Sequence, residues 1–173
     1  MNIRGPIIGV EVECERVLRT LPLWFGQEAA LMEYAENTAK FQTFVAEEDG
    51  QVIAFLSLQC HFPTSWEVNC IAVDAAYRNR GVGQALQSRT EAWLKGQGAK
   101  TLQVKTLAEA HPSPEYEQTR KFYESVGYIP VEVFPTLWEI GLPVLQLIKI
   151  LHVGTEADIV PTGYPSPQTP VGG

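Results

Sequence analysis

No run of about 18 apolar residues occurs anywhere in this 173-residue chain, so the ordinary signature of a membrane-spanning helix is missing. Cysteine is scarce too. Cys14, Cys60 and Cys70 show neither C-x-x-C nor a Cys/His ligand spacing, which argues against a disulfide framework and against a metal site. Cys60 and Cys70 read as reduced residues of strands. His61, His111 and His152 are too widely separated for a catalytic or metal cluster and are expected to be surface or packing residues. Positive charge is in short supply, with Lys+Arg 13 against Asp+Glu 20 and a formal net charge of -7. That balance argues against nucleic acid or an anionic membrane as partner and favours a cationic one. With 45% hydrophobic residues the chain has ample material for the core of one domain. A cytoplasmic protein is expected.

What is present is a glycine-bearing turn, Arg78-Asn79-Arg80-Gly81-Val82-Gly83, set between two patterned segments. Ile71-Ala72-Val73 closes a strand-like run ahead of it, and Val82, Leu86 and Trp93 recur behind it at helical spacing. The glycines therefore fall in the first turn of a helix. Four N–H groups there lack intrahelical partners and the dipole end is positive, so a diphosphate can be held by backbone alone. Taken by itself, such a turn is also compatible with a simple tight bend.

Around this turn the periodicity predicts helices over 9–20 and 27–38, separated by Leu21-Pro22 and an aromatic loop at Trp24-Phe25-Gly26. Strands follow over 41–46 and 51–61, joined by Asp49-Gly50, the dipeptide of a tight hairpin. A strand over 65–73, the helix over 81–95 stopped by Gly96, and a strand over 101–107 come next. A helix over 115–126, stopped by Gly127, and strands over 128–134 and 142–151 complete the body. The domain is expected to span 1–153, and 154–173, rich in Pro and Gly, is set apart as a tail.

Three separated elements now stand together: Glu67, the 78–83 turn, and Phe122-Tyr123-Glu124-Ser125-Val126-Gly127-Tyr128. Together they resemble the GNAT superfamily of acetyl-CoA-dependent N-acetyltransferases. That family's diphosphate motif, Q/R-x-x-G-x-G/A, is met by Arg78, Gly81 and Gly83, and its Phe/Leu-Tyr-x-x-x-Gly-Phe pattern by the later segment. The likeness covers about 41–151 in the family's order of elements. It implies an α/β (α+β) fold, a single domain with a mixed, mostly antiparallel twisted sheet of about six or seven strands and helices on both faces. One departure is visible: an Asn and an Ala that line the coenzyme groove in many relatives are Tyr116 and Thr119 here.

The resemblance implies acetyl-CoA as donor, an amine as acceptor, and direct transfer with no metal. A small-molecule amine is expected before a peptide amine, and a homodimer is left open. An alkylamine is almost wholly protonated at neutral pH, so transfer needs a base. Glu67 occupies the family's position for it. Strand alternation is expected to put Glu67, Asn69, Ile71 and Val73 on one face and to turn Cys70 away. Similar enzymes splay the fourth and fifth strands, which nominates the backbone of Ile71, Ala72 and Val73 toward the thioester, with Gln103 and Val104 as the other lip. Tyr123 is the implied acid for the leaving thiolate. Arg78, Arg80, Gly81, Val82, Gly83 and Thr119 are the remaining coenzyme candidates. Trp24, Trp138 and Glu139 are candidates for the acceptor, through cation–π and charge. A non-catalytic acyl-CoA-binding module is the alternative, and Glu67 with Tyr123 weighs toward the enzyme.

Overall fold

The computed structural model describes residues 1–151. His152 and the tail read as 154–173 lie outside the described residues. Along the chain run β1 (Asn2–Ile7), α1 (Glu11–Arg19), α2 (Glu28–Asn37), β2 (Gln42–Glu48), β3 (Gln51–Phe62), β4 (Ser65–Val73), α3 (Val82–Gly96), β5 (Thr101–Leu107), α4 (Pro114–Ser125), β6 (Ile129–Glu139) and β7 (Leu142–Ile150). The strands form one seven-stranded sheet in the order β1-β2-β3-β4-β5-β7-β6. Only β4 and β5 pair in parallel. The β2–β3 hairpin turns on Asp49 and Gly50, both at positive φ, as the dipeptide predicts.

Helices cover both faces. On one, Leu86 and Leu94 of α3 and Tyr123 of α4 pack against Phe44, Leu56 and Val104 of the sheet. On the other, Cys14, Val17 and Leu18 of α1 and Leu31 of α2 pack against Val45, Phe55 and Cys70. Each fully buried Leu or Phe side chain contributes about 1.5–3 kcal/mol to holding these layers. Helix α4 starts where Ser113 accepts the Tyr116 N–H and Pro114 fills the first turn, where a missing N–H costs nothing.

Three departures from the sequence reading have physical causes. The N-terminal strand β1 is absent from that reading, because Gly5-Pro6 punctuates it; as the sheet's edge strand it tolerates a proline that an inner strand would reject. Gly5 is also fixed by contact, since a Cβ there would lie 2.7 Å from the Thr43 carbonyl oxygen. Strand β6 runs on through Pro135 to Glu139, which the reading takes as a connection, and the turn to β7 shrinks to Ile140 and Gly141. The third departure matters for chemistry. Ser57 pairs with Cys70 but Leu58 pairs with Val68, so Asn69 is an extra residue, a β-bulge in β4. Alternation therefore inverts there. Trp66 and Val68 face the α3 layer, and so do Ile71 and Val73, whereas Cys70 and Ala72 face α1 and α2. Glu67, opposite in sense to its neighbours Trp66 and Val68, lies on the same side as Cys70. The expectation of one common face for Glu67, Asn69, Ile71 and Val73 is corrected.

Candidate active site

One open cleft of about 1470 Å³ runs across the molecule between α3, α4, the end of β4 and the loop before α2. One end of it is the turn before α3. Gly81 is the N-cap at φ 77, and no side chain caps the helix. The first backbone bond of the helix runs from the Ala85 N–H to the Gly81 carbonyl, so the N–H groups of Val82, Gly83 and Gln84 have no helical acceptor. A left-handed N-cap explains glycine at 81. Gly83 has a different reason: a Cβ there would meet the Phe122 ring at 3.2 Å, so its absence lets α3 approach α4. This end fits an anion held by backbone donors and a positive helix end.

The middle of the cleft is a fork. β4 and β5 pair from Ser65 with Thr101 to Val68 with Val104 and then part, although β4 continues to Val73 and β5 to Leu107. Ile71, Ala72 and Val73 line one side. The other side begins two residues later than the sequence suggests, at Lys105 rather than Gln103. Val104 is still paired, Gln103 is still opposite Glu67, and Lys105, Thr106 and Leu107 form the lip.

Glu67 sits at the foot of the fork with its side chain 12% exposed. Three donors converge on its Oε2: Lys105 Nζ at 2.7 Å, His61 Nε2 at 2.7 Å and Gln103 Nε2 at 3.0 Å. Gln103 in turn accepts from Gln146 Nε2 at 2.6 Å. Among the described residues Oε1 accepts no hydrogen bond, which leaves one carboxylate oxygen for a ligand. His61, expected as a surface or packing residue, is thus a direct partner of the carboxylate. Lys105, Gln103, His61 and Gln146 are the residues that sequence reasoning passed over. A signal for two of them exists: Gln103 and Lys105 alternate with buried Leu102 and Val104 in a central strand, and a polar stripe in such a strand implies a face open to water.

Tyr123 is buried, lines the same cleft, and its hydroxyl has no hydrogen-bond partner among the described residues. Burial pushes its phenol well above the usual tyrosine range, so it stays protonated and can donate. Cys70 shares the Glu67 side, but it is buried and desolvation drives its thiol well above the ordinary value, so the nucleophilic thiolate is suppressed.

The two ends of the cleft are joined by Trp24. Its indole Nε1 donates to Thr119 Oγ1 at 3.1 Å and to the Glu115 carbonyl at 3.2 Å, and the Tyr116 hydroxyl donates back to the Trp24 carbonyl at 3.1 Å. Arg78 lies 4.2 Å from the centre of the Trp24 ring and also donates to Gln118. Tyr116 and Thr119, the departures from the family pattern, therefore fasten the loop before α2 onto α4. Trp138 and Glu139 line the cleft from the β6–β7 hairpin, both exposed at its rim. Of the residues singled out from sequence, Glu67, Tyr123, Ile71, Ala72, Val73, Arg78, Gly81, Val82, Gly83, Thr119, Trp24, Trp138 and Glu139 all line this cleft. Arg80 does not; it is exposed and rests 5.2 Å from the Tyr77 ring centre.

Residues 39–130 match the model of the acetyltransferase (GNAT) domain. Among curated proteins, the chain is 39% identical over 71 residues to an amino-acid acetyltransferase of Pseudomonas fluorescens, a match covering 40% of this chain and 16% of that protein. It is 31% identical over 114 residues to an uncharacterized N-acetyltransferase of Chlorobaculum tepidum, covering 64% of this chain and 66% of the relative. The chain thus spans a small part of the first relative and just under two thirds of the second. Among solved structures it is similar to a GNAT-family protein of Desulfovibrio desulfuricans (TM-score 0.74, 17% identity, 87% of this chain and 99% of that one). It is similar also to the ribosomal-protein-S18-alanine N-acetyltransferase of Escherichia coli (0.72, 17%, 90% and 96%) and to an aminoglycoside 6'-N-acetyltransferase complexed with coenzyme A (0.70, 19%, 88% and 98%). At these identities the structural likeness speaks for the fold.

Proposed function

The chain belongs to the GNAT acetyltransferase family, and on that premise we propose that it passes an acetyl group directly from acetyl-CoA to an amine, a small molecule rather than a protein. The observation that carries this reading is the convergence on one cleft of an uncapped helix N-terminus, a carboxylate with one open oxygen and an unpartnered phenol. Acetyl-CoA supplies the acetyl group as a thioester. The first turn of α3 holds the diphosphate through the N–H groups of Val82, Gly83 and Gln84, which needs no side-chain charge. Past Val68 the edge of β4 has no β5 partner, and its N–H groups face the oxygen that gains charge during transfer.

Glu67 Oε1 takes one proton of the ammonium and passes it to water, then takes the second as the amine attacks and releases that one to water in turn, while Oε2 is held in place by Lys105, His61 and Gln103. The C–N bond forms as the C–S bond breaks, its electron pair goes to sulfur, and Tyr123 gives sulfur a proton that water restores; one proton is released overall. Release of CoA, followed with a thiol reagent across a panel of small amines and an N-terminal peptide, tests the reading. A small amine is expected to turn over best. Strong stabilisation by acetyl-CoA without CoA release from any acceptor would instead favour a non-catalytic acyl-CoA-binding module, and no stabilisation at millimolar acetyl-CoA would defeat both.

A further inference from the structure

Glu67 and Lys105 form an ion pair at the foot of the fork, with side chains 12% and 24% exposed, and both line the cleft. A lysine there is unexpected for a site that receives a simple alkylammonium, because its charge sits beside the carboxylate that must attract the amine and repels it. The valences left open say what fits instead. Lys105 Nζ has three N–H donors and spends one, on Glu67; Glu67 Oε1 accepts nothing among the described residues. An open anionic acceptor and two open cationic donors therefore lie side by side. The other charged residues of the cleft do not share this place. Glu33 and Glu139 are exposed at the rim, Arg78 belongs to the donor turn, and Lys121 is paired with Glu117 on α4.

We propose that the acceptor is a zwitterion, an amine with a carboxylate on the neighbouring carbon as in a free α-amino acid. Its ammonium sits on Glu67 Oε1 and its carboxylate on Lys105 Nζ. The head group then inserts its two charges beside two that already neutralise each other, and no charge is left unpaired. Position agrees with this. Glu67 is one residue before the last β4–β5 pair and Lys105 one residue after it, so the two flank the point where the strands part and set the nitrogen at the fork. Gln103 and Gln146 brace the arrangement from β5 and β7. The net charge of -7 favours a cationic partner at long range, whereas this local pair selects a neutral head group.

The proposal rests on the acetyltransferase reading, and the test separates the two. CoA release is measured for each amino acid, its carboxamide and its decarboxylated amine, and binding of the same compounds to the CoA-bound protein is measured by calorimetry. The best amino acid is expected to exceed its carboxamide in kcat/KM by about tenfold or more, mainly through KM. Lys105→Met is expected to bring that ratio to about one, and Lys105→Arg to keep it well above one; circular dichroism checks that each variant folds. A carboxamide or simple amine that equals or beats the amino acid, or a ratio unmoved in Lys105→Met, overturns the zwitterion. Amino acids that bind in a Lys105-dependent way without CoA release would keep the clamp and sink the acetyltransferase.

Discussion

The proposed donor end of the cleft is built from backbone and the proposed acceptor floor from side chains. At the donor end, Gly81, Val82 and Gly83 are consecutive, and what they offer is N–H groups and a helix dipole. At the floor, His61, Glu67, Lys105 and Gln146 come from β3, β4, β5 and β7, and nothing but sheet register brings them together. A backbone site survives most side-chain changes and a side-chain site survives few. The two regions should therefore respond very differently to single substitutions.

The sharpest break is at the floor. Glu67→Gln keeps the shape and an oxygen for Lys105 but removes the base, and kcat/KM at neutral pH is expected to fall about 10²–10³-fold. The deficit should shrink as pH rises toward the acceptor amine's own value, about 10.4 for a simple alkylamine and lower for an α-amino group, where free amine no longer needs a base. A pH-independent deficit in the rate profile would remove Glu67 from this role. At the donor end the matching break must act through backbone. Gly81→Val forces a β-branched residue to φ 77, at a cost of about 1–2 kcal/mol, so coenzyme A should bind about tenfold more weakly by calorimetry. If affinity is unchanged, the turn is only a turn.

This contrast also explains what could be read before the fold was known. The Arg78–Gly83 turn, the Asp49-Gly50 hairpin and the Phe122–Tyr128 segment are local patterns, and each lies where its spacing predicts. The Asn69 bulge cannot be read from the residues alone, since Trp66 to Asn69 alternates and Cys70 to Val73 is an unbroken apolar run that fits either face; it appears only in the pairing with β3. The partners of Glu67 were hidden for the same reason. Lys105 is 38 residues away and meets Glu67 through a parallel pair that a whole helix must first close. Strand β1 was lost to its own glycine and proline, which an edge position permits.

A smaller effect is expected where the chemistry makes the least demand. A thiolate whose acid has a pKa near 8.5 leaves tolerably unaided, so Tyr123→Phe should cost only about fivefold in kcat. The hydroxyl has no partner among the described residues, so its removal should leave the melting temperature nearly unchanged. A loss as large as that of Glu67→Gln would make Tyr123 a second principal of the reaction.

Cys70 gives the smallest expected change and the strictest comparison, because the bulge places it on the Glu67 side of the sheet, where a covalent route would need it. Its thiol is held protonated by burial, and Cys14, packed in the same cluster, is pushed up to about 12 by the same cause. Thiols of this kind bind their protons more tightly folded than unfolded. Stability is therefore full below the unfolded value near 8.5 and is lost as pH rises from there toward about 12. Cys70→Ala should keep turnover within about twofold, lower the melting temperature by a few degrees through lost packing, and reduce the alkaline loss of stability. Rapid mixing with acetyl-CoA should give no burst of CoA in either protein. A burst that disappears in Cys70→Ala would mean that an acetyl group rests on sulfur before it reaches the amine, and Glu67 would then serve the thiol rather than the acceptor.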